Sequence, residues 1–425
     1  MPHQAALTIV APVRPGQSES LGALLASMGD GVANGSVVDF GAFTGVHFAR
    51  FILVDETRDL RGEPLQALLI YMSDFDVSSR QHLSELVEKA AAGIDRLFGH
   101  CEGYPDAATL TPEIRLASLR RYVISEQARY VNTIGRTVRQ VRSEAELRER
   151  VEGFLDGRPQ DDGAGDPVAA RAAVQKLAAG DESLRWALEP PEGLGIGFRL
   201  KELAHLVGGI LLVLILLPLL LLIAPVFLVL LRLHERSDPA PHVRPPPELV
   251  RELAALEDHL VQNPFTAIGF VKPGLFRRAT LAVVLMAINF TTRHFFNHGN
   301  LAGVKTIHFA RWVVLDGWRR VIFASNYDGS LESYMDDFID KISWGLNIVF
   351  SNGYGFPRAR WLVFDGATYE LAFKDFLRLH QVPTRVWYSA YGRLTNANIA
   401  NNARIRAGLH GDQTAEQTTK WVEAL

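Results

Sequence analysis

Residues 206–231 carry no charge, and the last charged residues before them are Lys201 and Glu202, the next one after them Arg232. The stretch is built mostly of Leu, Ile and Val, and as one helix it is about 39 Å long, enough to cross a bilayer core of about 30 Å. Because it lies near the middle of the 425 residues, everything before and after it must be compatible with a membrane segment. Pro218 at its midpoint and Pro225 beyond interrupt the helical hydrogen-bond ladder. The run is therefore either a re-entrant hairpin of two short arms in one leaflet or a kinked single span. A buried soluble helix is disfavoured, since the segment is apolar all round. Arg199 and Lys201 before it and Arg232 and Arg236 after it leave the positive charge balanced across it.

The two flanks repeat one another. Phe270-Val271-Lys272-Pro273-Gly274 answers Pro12-Val13-Arg14-Pro15-Gly16, and Thr306-Ile307-His308-Phe309-Ala310-Arg311-Trp312 answers Gly45-Val46-His47-Phe48-Ala49-Arg50-Phe51. Tyr327-Asp328, Lys341, Gly345, Phe350 and Gly355-Phe356-Pro357 then match Phe75-Asp76, Lys89, Gly93, Phe98 and Gly103-Tyr104-Pro105 at one constant offset. A gap-free match of that length indicates an internal duplication. Apolar runs and turn signals give each copy the order strand, helix, strand, strand, helix, strand of a ferredoxin-like unit, with one strong helix over 79–98 and a polar loop at Asn34-Gly35. The expected organisation is a first repeat over 1–156, a linker over 157–200 with at most one short helix around Ala169 to Leu177, the membrane segment over 201–236, a proline-rich linker with a short helix over 237–264, and a second repeat over 265–425. A single span would set the two copies on opposite sides of the bilayer, where their open sheet faces could not pack together, and this favours the hairpin. The helix over 275–296 holds an uncharged apolar stretch, 279–290, and reads either as a core helix or as an interfacial helix resting on lipid.

Forty-four Lys and Arg against 47 Asp and Glu leave no broad basic field, so no nucleic-acid partner is expected. The single cysteine, Cys101, excludes an intrachain disulfide framework and fits a reducing compartment, placing the soluble parts in the cytoplasm. The first residues lack the basic and apolar regions of a secretory signal. The expected partners are the lipid bilayer and an apolar small-molecule ligand, with an oligomer left open.

Candidate chemistry concentrates in the second repeat. On the strand from Thr306, His308 shares a face with Thr306, Ala310 and Trp312, and Arg311 lies on the other. A histidine among small residues is either an acid–base group or ligand in a pocket, or a core histidine satisfied by a hydrogen bond. Asn326 and Asp328 end the next strand, where Asp328 or Ser330 is either an N-cap or a polar group of a site. Asn396, Asn398, Asn401 and Asn402 follow a strand bearing Trp387, Tyr388 and Tyr391, and Lys341, Trp344 and Asn347 add to the set. His294 and His298 have the i, i+4 spacing of a metal-binding pair but lack an identified third ligand. Phosphate-loop, GxSxG and HExxH signatures are absent.

Tandem ferredoxin-like repeats resemble the dimeric α/β-barrel superfamily, which includes dye-decolourising peroxidases and chlorite-dismutase-like haem proteins, with small monooxygenases as single-repeat relatives. The segments TIHFARW, SNYDGS, DFIDK, HQVPTRVWYSAYG and NNARIRAGL are similar to a bacterial membrane-associated family without an assigned activity. The resemblance implies an α+β fold in which two repeats form a pseudo-dimeric α/β barrel around a central hydrophobic membrane segment. It makes haem the candidate cofactor, for which His308 is the candidate ligand by its place on the strand and not by a carried-over motif: the GxxDG motif of the peroxidases is missing and Val363-Phe364-Asp365-Gly366 keeps only its last two residues. The resulting expectation is a membrane-attached oxidoreductase of peroxidase or monooxygenase type acting on an apolar or lipid-derived substrate. His308 would be its acid–base group, Arg311 an anion partner, and Asn326 and Asp328 orienting groups. The competing expectation is a non-catalytic, membrane-tethered ligand-binding or scaffold protein.

Overall fold

Runs rich in Val, Ile and Phe pay for their poor helix propensity by packing well on a pleated surface, and eight of them become the strands of two antiparallel sheets. The computed structural model describes residues 4–28, 37–157, 166–191, 193–258 and 260–425. The Asn34-Gly35 loop and 158–165 of the expected linker lie outside the described residues. In the first half, β1 (Ala5–Pro12), β2 (Val46–Val54) and β3 (Leu68–Phe75) pair in the order β1-β3-β2, and a last strand, β4, spans Ala128–Val131. In the second, β5 (Gln262–Phe270), β6 (Ile307–Leu315) and β7 (Arg320–Asp328) pair in the order β6-β7-β5, and β8 spans Thr384–Ser389.

The last strands are exchanged. β8 joins the first sheet beside β2, with Trp387 opposite Arg50 and Tyr388 opposite Ala49. β4 joins the second sheet beside β6, with Arg129 opposite Arg311 and Tyr130 opposite Ala310. Each half thus covers an edge of the other's sheet, which removes unpaired N–H and C=O groups from two edges. This differs from two self-contained ferredoxin-like units closing into a barrel: no sheet closes, and the sheets meet as a sandwich. Ile52, Ile70 and Met72 of the first pack against Val313, Leu315 and Ile322 of the second. Four short strands have too little width to curl round and close on themselves.

Helices cover the outer faces. Ahead of β2 comes α1 (Ser18–Met28), and β3 leads into α2 (Ser79–Lys89) and α3 (Ala91–Phe98). The sequence expects one helix over 79–98; Ala90, at φ −123° and ψ 21°, divides it. Three residues on, Gly93 lies so close to the chain at Val37 that a Cβ would sit 1.7 Å from the Val37 carbonyl oxygen. Next come α4 (Pro112–Arg121), α5 (Val138–Asp156) and α6 (Pro167–Gly180). The short helix expected around Ala169 to Leu177 is present as α6, and its Val174 and Ala178 join Leu147 and Val151 of α5 in a satellite core.

The apolar run forms the middle of α7 (Ile196–Ser237), 42 residues without interruption through Pro218 and Pro225, about 63 Å long. The hairpin expected from the prolines is not formed. Each proline removes one backbone donor, and surrounding Leu and Ile continue the ladder on either side. After α8 (Pro247–Ala254), α9 (Leu275–His294) runs beside α7. α9 buries Leu281, Val284 and Leu285 in the core of the second sheet and leaves Val283 and Met286 exposed, so it joins the core on one face and is apolar on the other. By length and composition both α7 and α9 are able to cross a membrane. The chain ends with α10 (Leu331–Phe350), bent at Ile342, α11 (Glu370–His380), α12 (Asn396–Ala407) and α13 (Ala415–Val422).

Candidate functional site: the seam between the sheets

Alternation along β2 and β6 turns Arg50 and Arg311 into the space between the sheets, where both are almost fully buried. A buried guanidinium is costly unless each N–H finds an acceptor, and here the opposite sheet supplies them. Arg50 donates from Nη1 to the Phe265 carbonyl (2.9 Å) and Thr266 Oγ1 (2.9 Å), and from Nη2 to the Ser325 carbonyl (2.8 Å) and Asn326 Oδ1. Arg311 donates from Nη1 to the Leu7 carbonyl (3.0 Å) and Thr8 Oγ1 (3.3 Å), and from Nη2 to the Ser73 carbonyl (3.0 Å) and Asp74 Oδ1. Asn326 then donates through Nδ2 to Asp74 Oδ2 (3.1 Å), joining the two clamps. Burial, and next the charge of Arg311, lower the Arg50 pKa to about 9.

The strand ends hold a second matched pair. His47 Nε2 lies 2.7 Å from Asp76 Oδ1, and the other Asp76 oxygen accepts from the Val138 N–H (2.8 Å) at the start of α5. His308 Nε2 lies 2.6 Å from Asp328 Oδ1, and the other Asp328 oxygen accepts from the Asn396 N–H (2.7 Å) at the start of α12. Asp328 thus caps α12, the helix that follows the exchanged strand, while Ser330 caps α10. The Tyr391 hydroxyl bonds His47 Nδ1, and its ring centroid lies 5.6 Å from that of His308. Burial holds the Tyr391 phenol well above its ordinary pKa.

Of the residues singled out from the sequence, His308 pairs with Asp328, and Arg311 and Asn326 meet through Asp74. Asn347 staples the 363–367 turn, donating to the Val363 and Asp365 carbonyls and accepting from the Ala367 N–H. Lys341 forms a surface pair with Asp337, and Trp344 is half exposed. Asn398 completes a capping box with Thr395. His294 turns to His205 of α7 (2.7 Å), a contact across elements that i, i+4 spacing does not reveal. Among the described residues no three His, Cys, Asp or Glu side chains form a metal-binding group.

The space left in the seam is small. A cavity of about 10 Å³ lies between Arg50 and Arg311, and another of about 20 Å³ lies beside His308, bordered by Tyr391, Arg136 and Asn132. The second has room for about one water molecule. A haem macrocycle does not fit at His308, whose Nε2 is already held by Asp328. The cross-sheet partners Thr8, Asp74 and Thr266 were not legible as site residues; their only signal is that an arginine stands at a corresponding strand position in each half, Arg50 on β2 and Arg311 on β6. No family model, curated protein or solved structure matches the chain.

Proposed function

We propose that the chain is a non-catalytic, monotopic membrane protein: a two-sheet binding and scaffold module held on the cytoplasmic surface of one leaflet by α7 and the outer face of α9. The strand exchange is the observation that carries this reading. With β4 in the second sheet and β8 in the first, a bilayer has no way to pass between the two halves. Both ends of α7 are fastened to the body, one at each end of α9. Arg293 of α9 grips Glu202 with two bonds (2.6 and 2.7 Å), and Arg277 at the other end of α9 donates to Asp238 (2.6 Å). Glu235 accepts from the backbone N–H groups of Trp361 (3.0 Å) and Leu362 (2.9 Å). Between these ties the Leu and Ile side chains of α7 are exposed, Ile215 and Leu222 by 75% each. An apolar surface of that extent is stable against lipid and not against water. The seam supports the non-catalytic half of the reading, for Phe309, Trp312, Ile322 and Phe323 are all buried in packed cores.

The test is the side of the membrane on which each half is found. Cys101 is buried, and burial pushes its thiol up to about 12, so it leaves engineered surface thiols as the reactive ones. Ser84→Cys in the first half and Asp412→Cys in the second are expected to react with an impermeant maleimide from the same side of sealed vesicles. Reaction from opposite sides sinks the reading. The oxidoreductase reading retains one supporting feature, the small cavity where His308, Tyr391 and Arg136 meet. Ligand-dependent activity lost in a folded His308→Ala variant would favour it over a scaffold.

A further inference from the structure

A space far larger than those of the seam lies away from it. A cavity of about 500 Å³ opens where β4, the chain before β1, the first turns of α7 and the last turns of α9 converge. That volume is in the range of small-molecule sites. One wall is apolar, from Val131, Ile134, Leu194 and Phe198. The other is charged. Glu202 and Arg293 satisfy one another there, which among the described lining residues leaves Arg129 and Lys201 with one further carboxylate, Glu126. Arg129 is partly buried and donates to the Gln4 carbonyl (3.0 Å), and among the described residues it has no ion pair. Burial lowers its pKa, which an anion beside it would reverse. Phe198 and Lys201 stand on the turns of α7 immediately before its uncharged run.

We propose that this cavity binds an anionic amphiphile, its carboxylate or phosphate held by Arg129 and Lys201 and its chain lying along Leu194 and Phe198 toward the apolar part of α7. An arginine fork with free N–H groups matches the planar or tetrahedral oxygens of such a headgroup, and an apolar wall beside it selects a tail. The bilayer on which the proposed function places α7 and α9 is the source of the ligand, and the inference rests on that reading for this alone.

The full chain, delipidated in a nonionic detergent, is titrated with oleate, with oleyl alcohol and with inorganic phosphate, and bound ligand is counted by native mass spectrometry. One oleate per chain is expected, with oleyl alcohol bound at least about tenfold more weakly, as loss of one charge-assisted contact predicts. Phosphate is expected not to displace oleate. Arg129→Gln should weaken oleate by about tenfold or more. Lys201→Gln, at an exposed position, should weaken it severalfold and carries the test if the Arg129 variant misfolds. Equal binding of oleate and oleyl alcohol, displacement by phosphate alone, or wild-type binding in folded variants each overturns the proposal. Opposite-side labelling of the two halves would sink the monotopic reading and leave this binding measurement intact.

Discussion

Arg50 and Arg311 stand at corresponding places on β2 and β6, and each guanidinium ends on the sheet to which it does not belong. Their ties differ in one partner: Arg50 meets the neutral Asn326, Arg311 the carboxylate of Asp74. This single difference predicts an asymmetry. Arg311→Met leaves a buried charge unpaired and should cost about 3–5 kcal/mol. Arg50→Met leaves only neutral acceptors and should cost about 1–3 kcal/mol. Urea midpoints in detergent measure both, and equal losses would show that Asp74 carries no charge-specific role.

His82 is buried, with Nε2 3.0 Å from both the Tyr71 and Ser73 hydroxyls, and desolvation lowers its pKa from 6.5 to about 3. The unfolded chain therefore binds one more proton than the folded one between those values. The contribution of neutral His82 is intact above pH 6.5 and is lost as pH falls toward 3, by about 1.4 kcal/mol per unit. His82→Gln should be less stable than the parent at pH 7, with a shallower decline on acidification. Parallel stability-against-pH curves for the two proteins would contradict this.

Gly93 has the Val37 carbonyl oxygen where a Cβ would be. A backbone atom is not free to swing aside as a side-chain tip does. Gly93→Ala is expected to cost about 3 kcal/mol by forcing the two segments apart. Thermal unfolding of the variant against a control such as Gly153→Ala, where a Cβ meets open space, isolates the effect.

Arg277 is 1% exposed and fixes Asp238 at the end of α7. Arg277→Met should free that end without disturbing the sheets. Limited proteolysis in detergent is expected to cut the 239–246 segment several times faster in the variant, while the pairing of β4 with β6, followed by hydrogen exchange, stays protected. Loss of both together would mean that α7 and the sheets unfold as one unit.

Much of the candidate site was present in the sequence as like residues in like surroundings in the two halves: His47 with His308, Arg50 with Arg311, Asp76 with Asp328. Periodicity placed these residues on strands and at strand ends. It had no means to say that Asp328 caps α12 and not α10, because that bond links residues 68 positions apart. The cavity at Arg129 was equally hidden. Its walls come from β4, α7 and α9, and no local pattern connects Arg129 with Lys201 or Phe198.

By itself, the sequence determined which segments are strands, which helix is apolar all round, and which residues correspond between the halves, since these depend on side-chain period, composition and order along the chain. Tertiary structure decided which strand closes which sheet, whether the two prolines fold α7 back on itself, and whether Arg311 meets a ligand or the opposite sheet. These outcomes depend on pairings between residues far apart in the chain. Each buried donor takes the acceptor that packing brings within reach, and packing is a property of the whole chain and not of any window in it.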